Sequence, residues 1–334
     1  MSAIRRILVA IKDLDGKHLP AVLKAAQLAR ACGAQVELFH GLTAPLYTDG
    51  IVLRERGLGS LEQDLRQTAL RRLEGIAERL RMHSIKVTVC AEWDYPSHEA
   101  IIRRARSMKA DLIVASLHPG RHRMPWLLRL TDWELVRLSP VPVLLVKNPH
   151  PYRHPAVLAA IDPGHMHAKP LKLDKTILNL SKTLSKALRG TLHAVHAYAR
   201  FPMGSYAEEM SGQAVQELAE EAEHLATLRF QRALRPMRVA RARQFLIAGQ
   251  PIGAIEEAAR KSRSAIVVMG AISRSGYKRL LIGNTAERIL DQLTCDILVV
   301  KPADFAGNVP LSSRGARLRI SIPTGALGYA FGRY

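Results

Sequence analysis

The feature that most constrains the fold of this chain is an internal repeat. Three apolar segments of the N-terminal half reappear in the C-terminal half, in the same order and at nearly constant spacing. The pairs are ILVAIKD (7–13) with VLAAIDP (157–163), ADLIVASL (110–117) with SAIVVMGA (264–271), and PVLLVKN (142–148) with DILVVKP (296–302). This self-similarity predicts two tandem copies of one domain.

Each copy alternates short apolar runs with longer segments of helical periodicity. The runs ILVAI, DLIVASL and VPVLLVK are β-branched and nearly continuous, as expected of parallel strands buried on both faces. The intervening segments, such as LPAVLKAAQLARAC before Gly33, have helical spacing and a helix stop signal. The pattern predicts an α/β fold: two tandem doubly wound sheets, each with five parallel strands, Rossmann-like or flavodoxin-like.

The predicted domain boundaries follow from a proline-rich linker and from the end of the repeat. NPHPYRHP (148–155) cannot form the interior of a helix. We therefore expect domain 1 at residues 1–149 and domain 2 at 150–303. Residues 304–334 have four arginines against one acidic residue and no clear periodicity, which predicts a mostly flexible basic tail.

Composition excludes several classes of protein. The chain has 334 residues and a net charge of +20, but the charge is dispersed and aromatic residues are only 5%. Without a helix-turn-helix, RRM or zinc-finger pattern, specific nucleic-acid binding is not expected. Three widely spaced cysteines argue against a disulfide framework. No apolar run reaches the roughly 18–20 residues that a membrane span needs. We expect a cytoplasmic protein.

Metal-ligand and catalytic patterns are also weak. The chain has 13 histidines but no HExxH motif, and the pairs His165/His167 and His118/His122 lack an accompanying carboxylate or cysteine cluster. No Ser-His-Asp or Cys-His arrangement can be argued from spacing. We therefore assign no catalytic residue and no metal ligand, and we expect a protein that is not an enzyme.

Candidate ligand residues follow the first and fourth strands of the second copy, because open α/β sheets bind ligands beyond the carboxyl ends of their strands. Asp162 could accept hydrogen bonds from a ribose or an adenine amine, although Asp-Pro-Gly is also a good turn sequence. Gly283-Asn284-Thr285 precedes a predicted helix, TAERILDQL, and offers backbone N–H groups to a phosphate. The alternative is that Asn284 or Thr285 only caps that helix.

The stretch from strand four to this helix resembles the nucleotide motif of the universal stress protein family, Gly-x2-Gly-x9-Gly-Ser/Thr. Gly270 and Gly283 match its first and third glycines, whereas Ser273 and Asn284 replace the second glycine and the final Ser/Thr. LHAVHA (192–197) and Gly249-Gln-Pro also fit the family. The resemblance extends over residues 3–302, is nearest to tandem members of the family, and implies a fold like that of the adenine nucleotide alpha hydrolases.

The resemblance implies ATP, with magnesium, or a related phosphate-containing ligand in domain 2, and a role as a stress-response regulator or adaptor. Any ATP hydrolysis would be slow and incidental. The implied nucleotide contacts are Ala160, Asp162, Ala197, Met269, Gly270, Ile272, Ser273, Gly283, Asn284 and Thr285. Three basic residues of the same loop could add charge near the phosphates: Arg274, Lys278 and Arg279.

Protein partners are expected but not identified, and self-association stays open. The resemblance implies that the two copies pair through their fifth strands. The alternative function is a module of the same fold that binds a non-nucleotide ligand or a protein, without ATP.

The first copy departs from the motif. Lys12 stands where the second copy has Asp162, and Ser116 stands where it has Gly270. Pro119 and Arg129 occupy the other two glycine positions. Because the glycine cradle is missing, we expect this copy to be structural or regulatory, or to bind a different ligand.

Overall fold

A computed structural model of the protein describes residues 4–16, 18–42, 46–49, 58–117, 125–164, 172–199, 212–270, 292–305, 307–315 and 318–321. The first half contains β1 (Arg6–Ala10), α1 (Pro20–Cys32), β2 (Gln35–Leu42), β3 (Leu46–Asp49), α2 (Leu58–Arg81), β4 (Val87–Trp93), α3 (Ser97–Ser107), β5 (Leu112–Ser116), α4 (Pro125–Leu138) and β6 (Val143–Val146). The rest of the chain contains β7 (Ala156–Ala160), α5 (Lys172–Ala187), β8 (Thr191–Tyr198), α6 (Gly212–Leu234), β9 (Gln244–Ala248), α7 (Pro251–Ser262), β10 (Ser264–Gly270), β11 (Asp296–Val300) and β12 (Leu318–Ser321).

Ten of these strands form one continuous sheet in the order β4-β2-β1-β5-β6-β11-β10-β7-β8-β9. Within each half the strands are parallel, and the two halves repeat the same strand order in opposite directions across the sheet. The predicted α/β fold with two doubly wound sheets is confirmed. The two sheets join edge to edge, because β6 pairs antiparallel with β11, with Leu144 opposite Leu298. The pairing through the fifth strands that the family resemblance implies is therefore confirmed.

The local patterns explain most element boundaries. Pro20 occupies the first turn of α1, where its missing N–H costs no hydrogen bond, and Gly33 ends the helix in the left-handed conformation at φ 66°. Between β2 and α2 the chain forms the short strand β3. The predicted helix TAERILDQL lies almost wholly outside the described residues.

A buried polar cluster locks the two halves together. Asp296, at the start of β11, forms an ion pair with Lys24 of α1, and both side chains are almost completely buried. The Oδ2 atom of Asp296 also accepts a hydrogen bond from the Tyr152 hydroxyl at 2.6 Å. Its Oδ1 atom accepts the backbone N–H groups of Lys147 and Asn148 at 2.9 and 3.0 Å. One carboxylate thus fixes α1, the linker and β11 at a single point.

The C-terminal segment differs from the flexible tail that the sequence predicted. Val309 is buried, and its carbonyl accepts a hydrogen bond from Arg106 of α3 at 3.1 Å. Arg314 donates its backbone N–H to Asp94 at 2.9 Å and its guanidinium to Glu99 at 3.0 Å. Further along, β12 pairs in parallel with β3. The described part of the segment therefore crosses from the second half and packs on the first, because partners distant in sequence supply its contacts.

Candidate functional site

The strand order of each half reverses between its first and fourth strands, and this is where open sheets bind ligands. In the second half the two strands are β7 and β10, which are adjacent, with Ala160 opposite Met269. Gly270 ends β10, and Asp162 follows β7 by two residues. Ala197 lies in β8, two residues beyond the partner of Ala160. The structure thus brings five of the expected contacts to one carboxyl edge.

The carboxylate of Asp162 is 38% exposed and sits among polar neighbours. Its Oδ1 atom lies 3.9 Å from Nδ1 of His196, whose ring also faces the Ile161 carbonyl at 3.3 Å. The Asp162 backbone N–H donates to Asp174 of α5 at 3.2 Å. Asp162 can therefore be a turn residue and a ligand contact at the same time. Its backbone N–H is hydrogen-bonded within the protein, while its carboxylate is partly exposed to solvent.

Gly164 marks a point where three polar groups converge. A Cβ on this residue would lie 3.8 Å from Nη1 of Arg229, 3.9 Å from Oδ1 of Asp162 and 3.9 Å from Nε2 of His196. Arg229 comes from α6, so its guanidinium adds positive charge beside the carboxylate. Arg229, His196 and Asp174 were not among the expected site residues. The repeat contained a signal for the histidine, since FHGL of β2 and VHAY of β8 align.

Gly270 has a packing role that the sequence did not reveal. A Cβ on this residue would lie 2.6 Å from Cδ2 of Leu173, the second residue of α5, and 3.3 Å from its Cγ. Leu173 is completely buried and cannot easily move. The missing side chain therefore lets α5 begin directly against the end of β10.

The rest of the expected phosphate loop lies outside the described residues. This applies to Ile272, Ser273, Gly283, Asn284 and Thr285, and to the basic residues Arg274, Lys278 and Arg279.

The equivalent edge of the first half is bridged by its own side chains. Lys12, which follows β1, forms an ion pair with Asp132 of α4, whose carboxylate is buried. The Ser116 hydroxyl at the end of β5 accepts the Ala21 backbone N–H at 3.2 Å, in the first turn of α1. His40 contacts the Ile11 carbonyl at 2.8 Å, as His196 contacts that of Ile161. The carboxyl edges of the two halves therefore have the same histidine–carbonyl contact. They differ in charge, because Lys12 stands where the second half has Asp162.

Burial of histidines makes the stability of the fold depend on pH. Burial lowers the pKa of His40, His98 and His193. Because the folded values lie below the unfolded value of about 6.5, the unfolded chain binds more protons as the pH falls through that range. We expect the free energy of unfolding, measured by urea titration between about pH 7.5 and pH 5, to decrease as the pH falls below about 6.5. His40→Asn should reduce this decrease, because it removes one of the histidines whose pKa is lowered by burial. An increase in stability on acidification would contradict the prediction.

Within the ranges given above, no cluster of histidine, cysteine or acidic side chains could hold a metal ion. Of the helices described, none is long and apolar enough to span a bilayer.

Comparison with known proteins agrees with this geometry. The profile described as "Universal stress protein family" matches residues 3–147 and 157–301. The chain is similar to universal stress protein E of Escherichia coli K12, with 27% identity over 93% of this chain and 98% of the relative. The fold is also similar to the solved structure of a putative universal stress protein from Pseudomonas aeruginosa UCBPP-PA14, with a TM-score of 0.65 and 25% sequence identity. The superposition includes 90% of this chain and 95% of the Pseudomonas chain. The structure of PA1789 from Pseudomonas aeruginosa PAO1 is similar to the same degree, with a TM-score of 0.64 and 25% sequence identity. That superposition includes 90% of this chain and 94% of PA1789. The chain therefore belongs to the universal stress protein family and carries two tandem copies of its domain, like the E-type members.

Proposed function

We propose that this protein binds an adenine nucleotide, or a related phosphate-containing ligand, at the carboxyl edge of its second half, and acts as a cytoplasmic regulator or adaptor in stress responses. The observation that carries the proposal is the difference between the two edges. In the first half, Lys12 forms an ion pair with the buried carboxylate of Asp132. In the second half, Asp162 keeps a partly exposed carboxylate beside Arg229 and His196.

Each expected contact has a chemical role in this proposal. Asp162 accepts hydrogen bonds from the ribose or the adenine amine, while Ala160, Ala197 and Met269 line the space beside it. Gly270 leads from β10 into the phosphate loop. Gly283, Asn284 and Thr285 supply N–H and hydroxyl groups to the phosphates, beside Ile272 and Ser273. Arg274, Lys278 and Arg279 add positive charge there, and magnesium would accompany ATP.

The proposed role is binding rather than catalysis. The ligand would act by favouring one arrangement of the domain or partner surfaces over another. Because the sequence pattern assigns no catalytic residue, we propose that any ATP hydrolysis is slow and incidental.

Calorimetric titration with ATP and magnesium tests the proposal. Asp162→Ala should weaken binding about 10- to 100-fold, since a hydrogen bond to a charged group contributes roughly 1.5–3 kcal/mol. Asp13→Ala is the matched control, because Asp13 follows the first strand of the other half and is exposed. We expect it to leave the affinity unchanged. Gly283→Val should abolish binding by obstructing the phosphate loop.

Two results would contradict the proposed nucleotide binding. If the purified protein carries no ATP, ADP or AMP by mass spectrometry and shows no heat with any of them, the proposal fails. The alternative, a module of the same fold without a nucleotide, would then stand. Unchanged affinity in both the Asp162 and Gly283 variants would place the nucleotide elsewhere.

A further inference from the structure

The outer corner of the second half carries a cluster of exposed arginines. Between Glu223 and Glu256 the chain has no acidic residue, and it contains arginines at regular three-residue spacing. We use the name arginine corner for six exposed residues: Arg189, Arg232, Arg235, Arg238, Arg241 and Arg243. Four of them lie on the connection from α6 to β9, the last strand of the ten-stranded sheet, and Arg232 lies in the last turn of α6.

The backbone of this corner is fixed without help from the arginine side chains. Gln231 donates to the Gln244 side chain at 2.7 Å, and Gln244 donates to the Val239 carbonyl at 2.7 Å. Met237 and Val239 pack inward against the hydrophobic core. The guanidinium groups are therefore displayed on a framework that other residues hold in place.

Arg189 joins the corner from a neighbouring element. It follows α5 in the left-handed conformation, with φ 52°, two residues before β8 begins. Strand β8 pairs with β9, with Ala194 opposite Gln244, and adjacent strands lie about 4.8 Å apart. Arg189 and Arg243 thus precede the amino ends of two adjacent strands, β8 and β9.

The positive charge of the corner is not neutralised within the described structure. Among the residues that the structure describes, no carboxylate forms an ion pair with any of the six arginines. The preceding acidic residue of α6, Glu223, lies nine positions before Arg232, or about 13 Å along the helix axis. Clustered like charges of this kind create a positive potential that attracts a polyanion.

The side chains indicate which polyanion fits. Guanidinium forks match phosphate oxygens in a bidentate geometry. Residues 231–244 contain no aromatic side chain on which a base could stack, and Phe245 is stacked against His193 at 6.1 Å. The apolar Met237 and Val239 face the core rather than a bilayer. We propose that the arginine corner binds the phosphate backbone of double-stranded nucleic acid without reading its base sequence.

The test is the salt dependence of binding to a fluorescent duplex DNA by the full chain. If four phosphates are contacted, affinity should fall about 100-fold between about 50 and 200 mM salt. Replacing Arg232, Arg235, Arg241 and Arg243 together with glutamine should reduce the slope of log affinity against log salt by about 3. The matched control replaces Arg30, Arg71, Arg79 and Lys109 of the first half with glutamine. All four are exposed, and the loss of charge is the same.

We expect the control to change the slope by less than about 1, and two unrelated duplex sequences to bind equally well. In the unmodified protein, duplex DNA should protect Arg235–Arg243 from trypsin, a measurement that does not depend on the folding of a variant. Three results would overturn the proposal: no duplex binding at low salt, equal slopes for the two variants, or cleavage at the corner unaffected by DNA. A bilayer is the competing partner. Anionic vesicles that bind more tightly than DNA, and lose binding on substitution of Leu228→Ser, would also overturn it, since Leu228 is 54% exposed one turn before Arg232.

Discussion

Replacing Asp296 with alanine is expected to lower the free energy of unfolding by about 3–5 kcal/mol, because it leaves a buried cation without its partner. The Lys24 ammonium lies 4.4 Å from the centre of the Tyr152 ring and has the Asp296 carboxylate as its ion-pair partner. Burial already lowers the pKa of Lys24, against the opposing attraction of Asp296. The same substitution removes the acceptor of two backbone N–H groups and of the Tyr152 hydroxyl.

Urea denaturation followed by circular dichroism measures this loss. Asp304→Ala serves as the control, since Asp304 is exposed and should change stability by less than about 0.5 kcal/mol. A double variant, Lys24→Met with Asp296→Leu, should be less destabilised than Asp296→Ala, because neither charge remains buried. If Asp296→Ala unfolds at the same urea concentration as the original protein, the cluster does not lock the two halves.

Replacing Arg103 with alanine is expected to cost a similar amount, about 3–5 kcal/mol, and also to loosen the C-terminal segment. Arg103 of α3 binds Asp94 through two hydrogen bonds, at 2.6 and 2.8 Å, and Glu99 through a third, at 2.9 Å. It also donates to the Pro310 carbonyl at 3.3 Å. Without it, two largely buried carboxylates repel each other, and Arg314 loses part of the site on which it docks.

Two measurements separate these effects. Denaturation gives the stability, and limited trypsin digestion gives the rate of cleavage after Arg314, which should increase in the variant. Arg106→Ala on the same helix is the control. It removes one hydrogen bond to the Val309 carbonyl and leaves the carboxylates paired, so it should cost only about 1 kcal/mol. Equal losses in the two variants would show that buried charge is not the cause.

The candidate site was predictable in part. Ala160, Asp162, Met269 and Gly270 are brought to one edge because the repeat places each at the end of a parallel strand. His196, Asp174 and Arg229 come from β8, α5 and α6, and only the packing of those elements places them beside Asp162. The packing of Leu173 on Gly270 was missed for the same reason, because the two residues are far apart in the chain.

The sequence by itself determined the α/β class, the repeated strand order and the apolar strands, since these follow from hydrophobic periodicity within short windows. The family resemblance added the pairing of the two copies through their fifth strands, and the structure shows that β6 and β11 pair antiparallel. Only the tertiary structure decided which charges meet. Lys24 and Asp296 are 272 residues apart, and Arg314 reaches Glu99 across 215 residues. Five arginines of the corner are already neighbours in the sequence, at residues 232–243, and the pairing of β8 with β9 adds Arg189. The reason is physical: periodicity is a local property of a chain, whereas an ion pair between distant residues depends on how the strand order packs their helices and strands together.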